Sequence, residues 1–202
     1  MDGLCAISAP IFDCDEKVRY CLTITLTPFR LQKHKLRAGG IEKIEVGVNE
    51  GVLLHGGTIY EPKEVIEAQF SLRFSLALRL LKRRNDLECY LDPKIWREPE
   101  ILEMGKKIVL YADPTATGER RFACTMKITL SGGNIIEGNI SSPKGPSRNP
   151  LSTQEIRNKF FRLGTKILPD SKSNAIIDKM ERLETEKNIA AIMPLMTVKA
   201  GV

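Results

Sequence analysis

The chain has 202 residues, 42% apolar and 28% charged, with a formal net charge of +6, values that belong to a globular chain and exclude disordered, collagenous and membrane-spanning classes. No apolar run approaches the roughly 20 residues of a membrane helix, and acidic residues stand where a signal peptide would carry a basic region, so the expectation is a cytoplasmic protein without membrane contact. Five cysteines with no Cys-x-x-Cys pair, and two histidines (His34 and His55) far apart in the sequence, predict reduced thiols and no metal site.

The positive charge is concentrated in Lys33-His34-Lys35-Leu36-Arg37 and Lys82-Arg83-Arg84. Cations near a helix carboxyl terminus complement its dipole, and aromatic residues do not interleave with these runs as single-strand binding needs. They read as solvated helix ends, and no nucleic-acid partner is expected.

In chain order, Leu22, Ile24 and Leu26 alternate with threonines like a strand, and Phe29 to Leu36 suits a short helix stopped by Gly39-Gly40. Ile44, Val46 and Val48 share one side of a period-two pattern with Glu45 and Gly47 on the other, which predicts a half-buried strand. Residues 70–83 place Phe70, Phe74, Ala77, Leu78 and Leu81 on one helical face, widened by Leu72, Leu76 and Leu80. A helix apolar over so much of its circumference is largely enclosed, and Ser71 stands where an N-cap is needed. Asp92-Pro93 and Glu98-Pro99 read as two helix starts, giving two short helices over 93–107.

Ile108 to Tyr111 is a short strand bounded by Asp113-Pro114. Phe122, Cys124, Met126, Ile128 and Leu130 then alternate with polar or small residues before Ser131-Gly132-Gly133-Asn134 turns the chain into Ile136, Gly138 and Ile140. That is a β-hairpin with one buried face. Beyond a Ser, Pro and Gly-rich loop, Ser152-Thr153-Gln154-Glu155 forms a capping box. Ile156, Phe160, Leu163 and Ile167 follow as an apolar stripe, Ile176, Ile177, Met180 and Leu183 lie on a second helix, and the 189–196 tail is apolar again.

The predicted fold class is therefore α+β: a two-layer sandwich of a mostly antiparallel sheet of about four strands with helices on one face, followed by carboxyl-terminal helices. The expected division is an amino-terminal segment over 1–40, an α+β domain over 41–150 and a helical extension over 151–202. The 156–167 stripe and the tail carry more apolar surface than a small sheet covers, which predicts an interface.

Two blocks carry a family resemblance. Glu67-Ala68-Gln69-Phe70-Ser71-Leu72-Arg73-Phe74, and farther on Ser142-Pro143-Lys144-Gly145 with Asn149-Pro150-Leu151-Ser152, are similar to the Glu-Ala-Gln-Phe-Ser helix and the Pro-x-Gly and Asn-Pro-Leu-Ser segments of the 2-methylcitrate dehydratase and cis-aconitate decarboxylase (MmgE/PrpD) family. The resemblance spans roughly 41–195 and is to the family's carboxyl-terminal α+β domain. It implies dehydratase, decarboxylase or epimerase chemistry on small polycarboxylates with no cofactor, in which most acid, base and cationic groups lie in a helical domain that these residues do not resemble. A helical partner of that type, or a homo-oligomer, is the implied assembly. The rival reading is a non-catalytic interaction or ligand-binding module derived from that domain.

Site residues follow position by position. Lys17 stands near the family's carboxylate-binding lysine, with Tyr20 in place of a proline and Leu26 near the expected histidine. Gln69 and Ser71 keep the family's identity, and Phe74 stands where many members have a tyrosine, so a hydroxyl that reaches substrate is missing. Helix capping alone accounts for Ser71, and a surface or capping role for Gln69. No catalytic residue is assigned.

Overall fold

The computed structural model describes residues 40–83 and 85–197 in full and the strands at 5–12 and 18–26 by their backbone. The expected helix over 29–36 and its Gly39 stop lie outside the described residues. The chain divides into two compact units, Met1–Asn149 and Pro150–Val202.

In the first unit, β1 (Cys5–Phe12) and β2 (Val18–Leu26) pair antiparallel, with Cys5 opposite Leu26. A second sheet has four strands in the order β4-β3-β5-β6: β3 (Ile41–Val48), β4 (Ile108–Ala112), β5 (Cys124–Leu130) and β6 (Ile135–Ile140). β3 runs parallel to β4 and antiparallel to β5, and β5 pairs antiparallel with β6. The parallel step requires a crossover. It is made of six helices: α1 (Glu50–Gly56), α2 (Val65–Phe70), α3 (Leu72–Lys82), α4 (Leu87–Leu91), α5 (Pro93–Trp96) and α6 (Pro99–Lys106).

The period-two pattern sets the layers. Ile44, Val46 and Val48, Ile108 and Leu110, and Cys124, Met126 and Ile128 turn to one face, where they join one core with Leu72, Phe74, Leu76, Leu78, Trp96, Ile101 and Met104 from the helices. α3 is the central helix, with Leu72 to Leu78 buried without a break. Each such leucine contributes about 1.5–3 kcal/mol by leaving water. The helix ends where Arg83 adopts a left-handed conformation (φ 55°) and its N–H donates to Arg79 O. The basic run at 82–84 thus opens at a helix end, as its composition predicts; Arg84 itself lies outside the described residues.

The opposite face of the sheet carries Lys43 paired with Glu45, and Tyr111 bonded to Thr125 (3.1 Å). Gly47 is needed there, because a Cβ would come within 2.5 Å of Thr125 Oγ1 and 2.7 Å of the Tyr111 ring. The hairpin turn uses Gly132 and Gly133 at φ 100° and 81°, conformations that cost a side chain dearly.

In the second unit, α7 (Thr153–Gly164) opens with the expected capping box: Ser152 Oγ accepts from the Glu155 N–H and the Glu155 carboxylate accepts from the Ser152 N–H. α8 (Asp170–Met180) packs against it, with Gly164 facing Ser173 and Arg157 paired to Glu181, and α9 (Met193–Met196) follows a short 3-10 turn. Ile167 lies beyond α7 and Leu183 beyond α8, so the predicted stripes run past their helices. Ile156, Ile167, Ile189 and Met193 are all more than half exposed. Among the described residues no helix is long and apolar enough to cross a membrane.

Candidate functional site

The first family block folds as a helix, a corner and a second helix. α2 ends at Phe70, Ser71 is extended (φ −83°, ψ 107°), and α3 begins at Leu72. The corner brings Ser71 and Phe74 together in the first turn of α3.

Ser71 is fully buried and both of its polar capacities are used. Its hydroxyl donates to Ile59 O (2.8 Å) and accepts from the Phe74 N–H (3.1 Å), which satisfies an orphan donor of the first turn of α3. Its one proton is committed, and burial keeps its second lone pair from a substrate. Phe74, at 2% exposure, is a core residue whose ring meets Tyr90 edge-on with centroids 5.7 Å apart. The Tyr90 hydroxyl is itself buried and bonded to Ser75 Oγ at 2.9 Å. Gln69 is half-buried at the end of α2. Ser71 and Phe74 therefore come together at the first turn of a buried helix, Gln69 lies on the preceding helix, and Lys17 lies outside the described residues.

Sequence reading passed over Arg73. Its side chain, buried inside the same block, donates from Nε to Ile108 O (3.2 Å), from Nη1 to Gly57 O and from Nη2 to the Tyr60 hydroxyl (3.1 Å). The guanidinium carbon sits 3.9 Å from the centre of the Tyr60 ring. Burial pulls its pKa below the ordinary arginine value, opposed by the Tyr60 phenol. Arginine nevertheless stays charged at any physiological pH. The signal was a cation in the first turn of a helical run, among Leu72, Phe74 and Leu76, which has to find acceptors if that turn is enclosed. Arg73 ties the 57–60 loop and the start of β4 to α3.

Acid–base capacity is equally constrained at the sheet. Burial pushes the Cys124 thiol up to about 11, with the nearby Asp113 carboxylate adding to the effect. It stays a thiol near neutrality and is a poor nucleophile. Asp113 is shifted the other way: the Thr115 hydroxyl (2.7 Å) and N–H (2.8 Å) hold its carboxyl below the usual range, helped by Thr125. A general acid or base needs a pKa near the working pH, and these two groups are displaced in opposite directions away from it. Among the described residues no cluster of three or more His, Cys, Asp or Glu is placed to hold a metal ion.

Ser71, Arg73 and Phe74 of the first family block are thus engaged within the α+β unit itself. The chain matches the MmgE/PrpD C-terminal domain over residues 30–185 and belongs to that family. It is similar to mouse (Mus musculus) cis-aconitate decarboxylase, with 25% identity over 136 residues, which cover 67% of this chain and 28% of that protein. The chain thus spans little more than a quarter of that relative's length. The family match begins after Lys17.

Proposed function

We propose that this chain is the carboxyl-terminal part of an MmgE/PrpD-type lyase or isomerase acting on small polycarboxylates, and that it turns over substrate only in assembly with a helical domain of the same family. The observation that carries this reading is the condition of the Glu-Ala-Gln-Phe-Ser block. Ser71 is consumed by the cap, Arg73 by two carbonyls and a phenol, and Phe74 has no hydroxyl and no exposure. Proton transfer beside a carboxylate requires an acid and a base poised near neutral pH, together with cations on the substrate. Those groups come from the helical side, and this domain supplies the frame against which they close. The exposed Ile156, Ile167, Ile189 and Met193 of the second unit support a partner, since apolar surface of this extent favours burial.

The test is reconstitution. Purified chain is mixed with a helical amino-terminal domain of the family, and complex formation and conversion of cis-aconitate and 2-methylcitrate are measured together. Joint elution and turnover that saturates at equal stoichiometry are expected. Absence of a complex, with full activity in the helical domain alone, would refute the proposal. Phe74 in place of a tyrosine also supports the rival reading of a non-catalytic module, which predicts a complex or homodimer that binds a polycarboxylate without converting it.

A further inference from the structure

The register of the β5–β6 hairpin builds a second feature far along the chain from the Ser71 block. Cys124 lies opposite Ile140, so the segment entering β5 and the segment leaving β6 emerge together at one end of the sheet. Between them is a cleft of about 740 Å³, walled by residues 118–122 on one side and 141–148 on the other.

Both walls are fixed by local chemistry. Gly118 (φ 54°) and Gly145 (φ 123°) take conformations that favour glycine, and nothing stands where a side chain would project from either. The second wall is closed on itself: Gly145 N–H donates to Asn149 O (2.7 Å), Asn149 N–H to Pro146 O (2.8 Å), and Asn149 Nδ2 to Ser142 O (3.1 Å). Pro143, fully buried, anchors it. The loop that the Pro and Gly content marks as a turn is thus a preorganised wall, and preorganisation reduces the entropy cost of binding.

Its lining has a definite charge. Among its lining residues are Arg121, Lys144, Arg148 and Glu119, with the hydroxyls of Ser141, Ser142 and Ser147. The Arg121 guanidinium lies 5.0 Å from the centre of the Phe122 ring, which with Pro143 and Pro146 gives an apolar side. Glu119 pairs with Arg148 across the two walls, and each holds the other in its charged form. Both partners are well exposed (74% and 61%), so the pair contributes little and a stronger anion displaces Glu119.

We propose that this cleft binds a small multivalent oxyanion, which exchanges with Glu119 for Arg148 while Lys144 and Arg121 hold its remaining charge. Carboxylates and phosphates share this chemistry, since a guanidinium presents a planar fork to either. The site is independent of the function proposed above and is read out by binding alone.

Citrate and pyrophosphate are titrated separately into the full chain at low salt, followed by calorimetry and by amide chemical shifts of residues 118–122 and 141–148. Saturable binding is expected, and it weakens as salt is raised because the charges are exposed. Lys144→Ala weakens it by roughly tenfold, the scale of one charge-assisted hydrogen bond. Lys63→Ala, outside the cleft lining, leaves it unchanged. Glu119→Gln frees Arg148 and tightens binding severalfold, an effect that loss of structure does not mimic. Stronger binding of citrate assigns a carboxylate ligand and stronger binding of pyrophosphate a phosphate; both support the site. The proposal is overturned by lack of saturation with either anion, by equal losses in Lys144→Ala and Lys63→Ala, or by Glu119→Gln binding no more tightly than the parent.

Discussion

Replacing Arg73 with leucine separates a structural from a ligand-binding role for the family block. The substitution puts an apolar side chain on the buried turn but removes the donors to Ile108 O and Gly57 O and the partner of the Tyr60 hydroxyl. A buried acceptor left unpaired costs about 1–3 kcal/mol, and the lost stacking on Tyr60 adds about 0.5–1 kcal/mol. Relief of the guanidinium's own desolvation offsets part of this, because burial already works against its charge. The net expectation is a loss of about 2–3 kcal/mol, which for a chain of this size lowers the melting temperature by roughly 5–10 °C. Thermal and urea unfolding followed by circular dichroism measure it. Arg73→Lys, which keeps the charge and reaches fewer acceptors, falls between the two. A melting temperature for Arg73→Leu within a degree of the parent's would refute the assignment of Arg73 as a tie between α3, the 57–60 loop and β4.

Four further outcomes follow from the same geometry. Ser71→Ala removes the α3 cap and the bond to Ile59 O and lowers stability by about 1–2 kcal/mol in urea titration. Phe74→Tyr places a hydroxyl in packed core and destabilises by about 1–3 kcal/mol without creating turnover in the isolated chain; unchanged stability accompanied by activity would contradict the buried placement. Gly47→Ala drives a methyl group into Thr125 and Tyr111 and costs about 1–3 kcal/mol, seen as a lowered urea midpoint. Cys124 resists a thiol reagent at pH 8 until the protein unfolds. Because the folded chain holds its proton up to about 11 while the unfolded thiol ionises near 9.0, its contribution is intact below pH 9 and is lost as pH rises toward 11, a fall of up to about 3 kcal/mol. Cys124→Ala flattens that alkaline slope.

Much of the sandwich was legible because its periods are strong. The broad apolar face of 70–83 announced an enclosed helix, and strict alternation in Cys124–Leu130 announced a half-buried strand. Caps with a short-range mechanism were equally readable: Ser71, Asp92 and Ser152 each accept the predicted backbone N–H. α1 escaped notice because glycines at 51 and 56 dilute its periodicity, leaving Asn49 as its one strong signal. Phe70 was grouped with the helix that follows it because its apolar character fits that helix's period, although the N-cap at Ser71 already places it before the corner. The parallel pairing of β3 with β4 depends on a long crossover, and alternation within a strand carries no information about its partner's direction. At the site, residue identity pointed to Ser71 and Phe74, but only their surroundings distinguish a cap and a core ring from substrate contacts. Arg73 and the Glu119–Arg148 pair depend on partners 13 to 35 residues away, which local patterns do not register.

The most direct measurement is turnover of cis-aconitate and 2-methylcitrate by the purified chain alone, followed by proton NMR at pH 6 and pH 8 over a time in which the reconstituted assembly completes conversion. No product is expected at either pH, because Ser71, Arg73 and Phe74 are committed to the fold and Cys124 and Asp113 are displaced from neutral pKa values. Product formation by the chain alone, at a rate proportional to its concentration, would contradict the account.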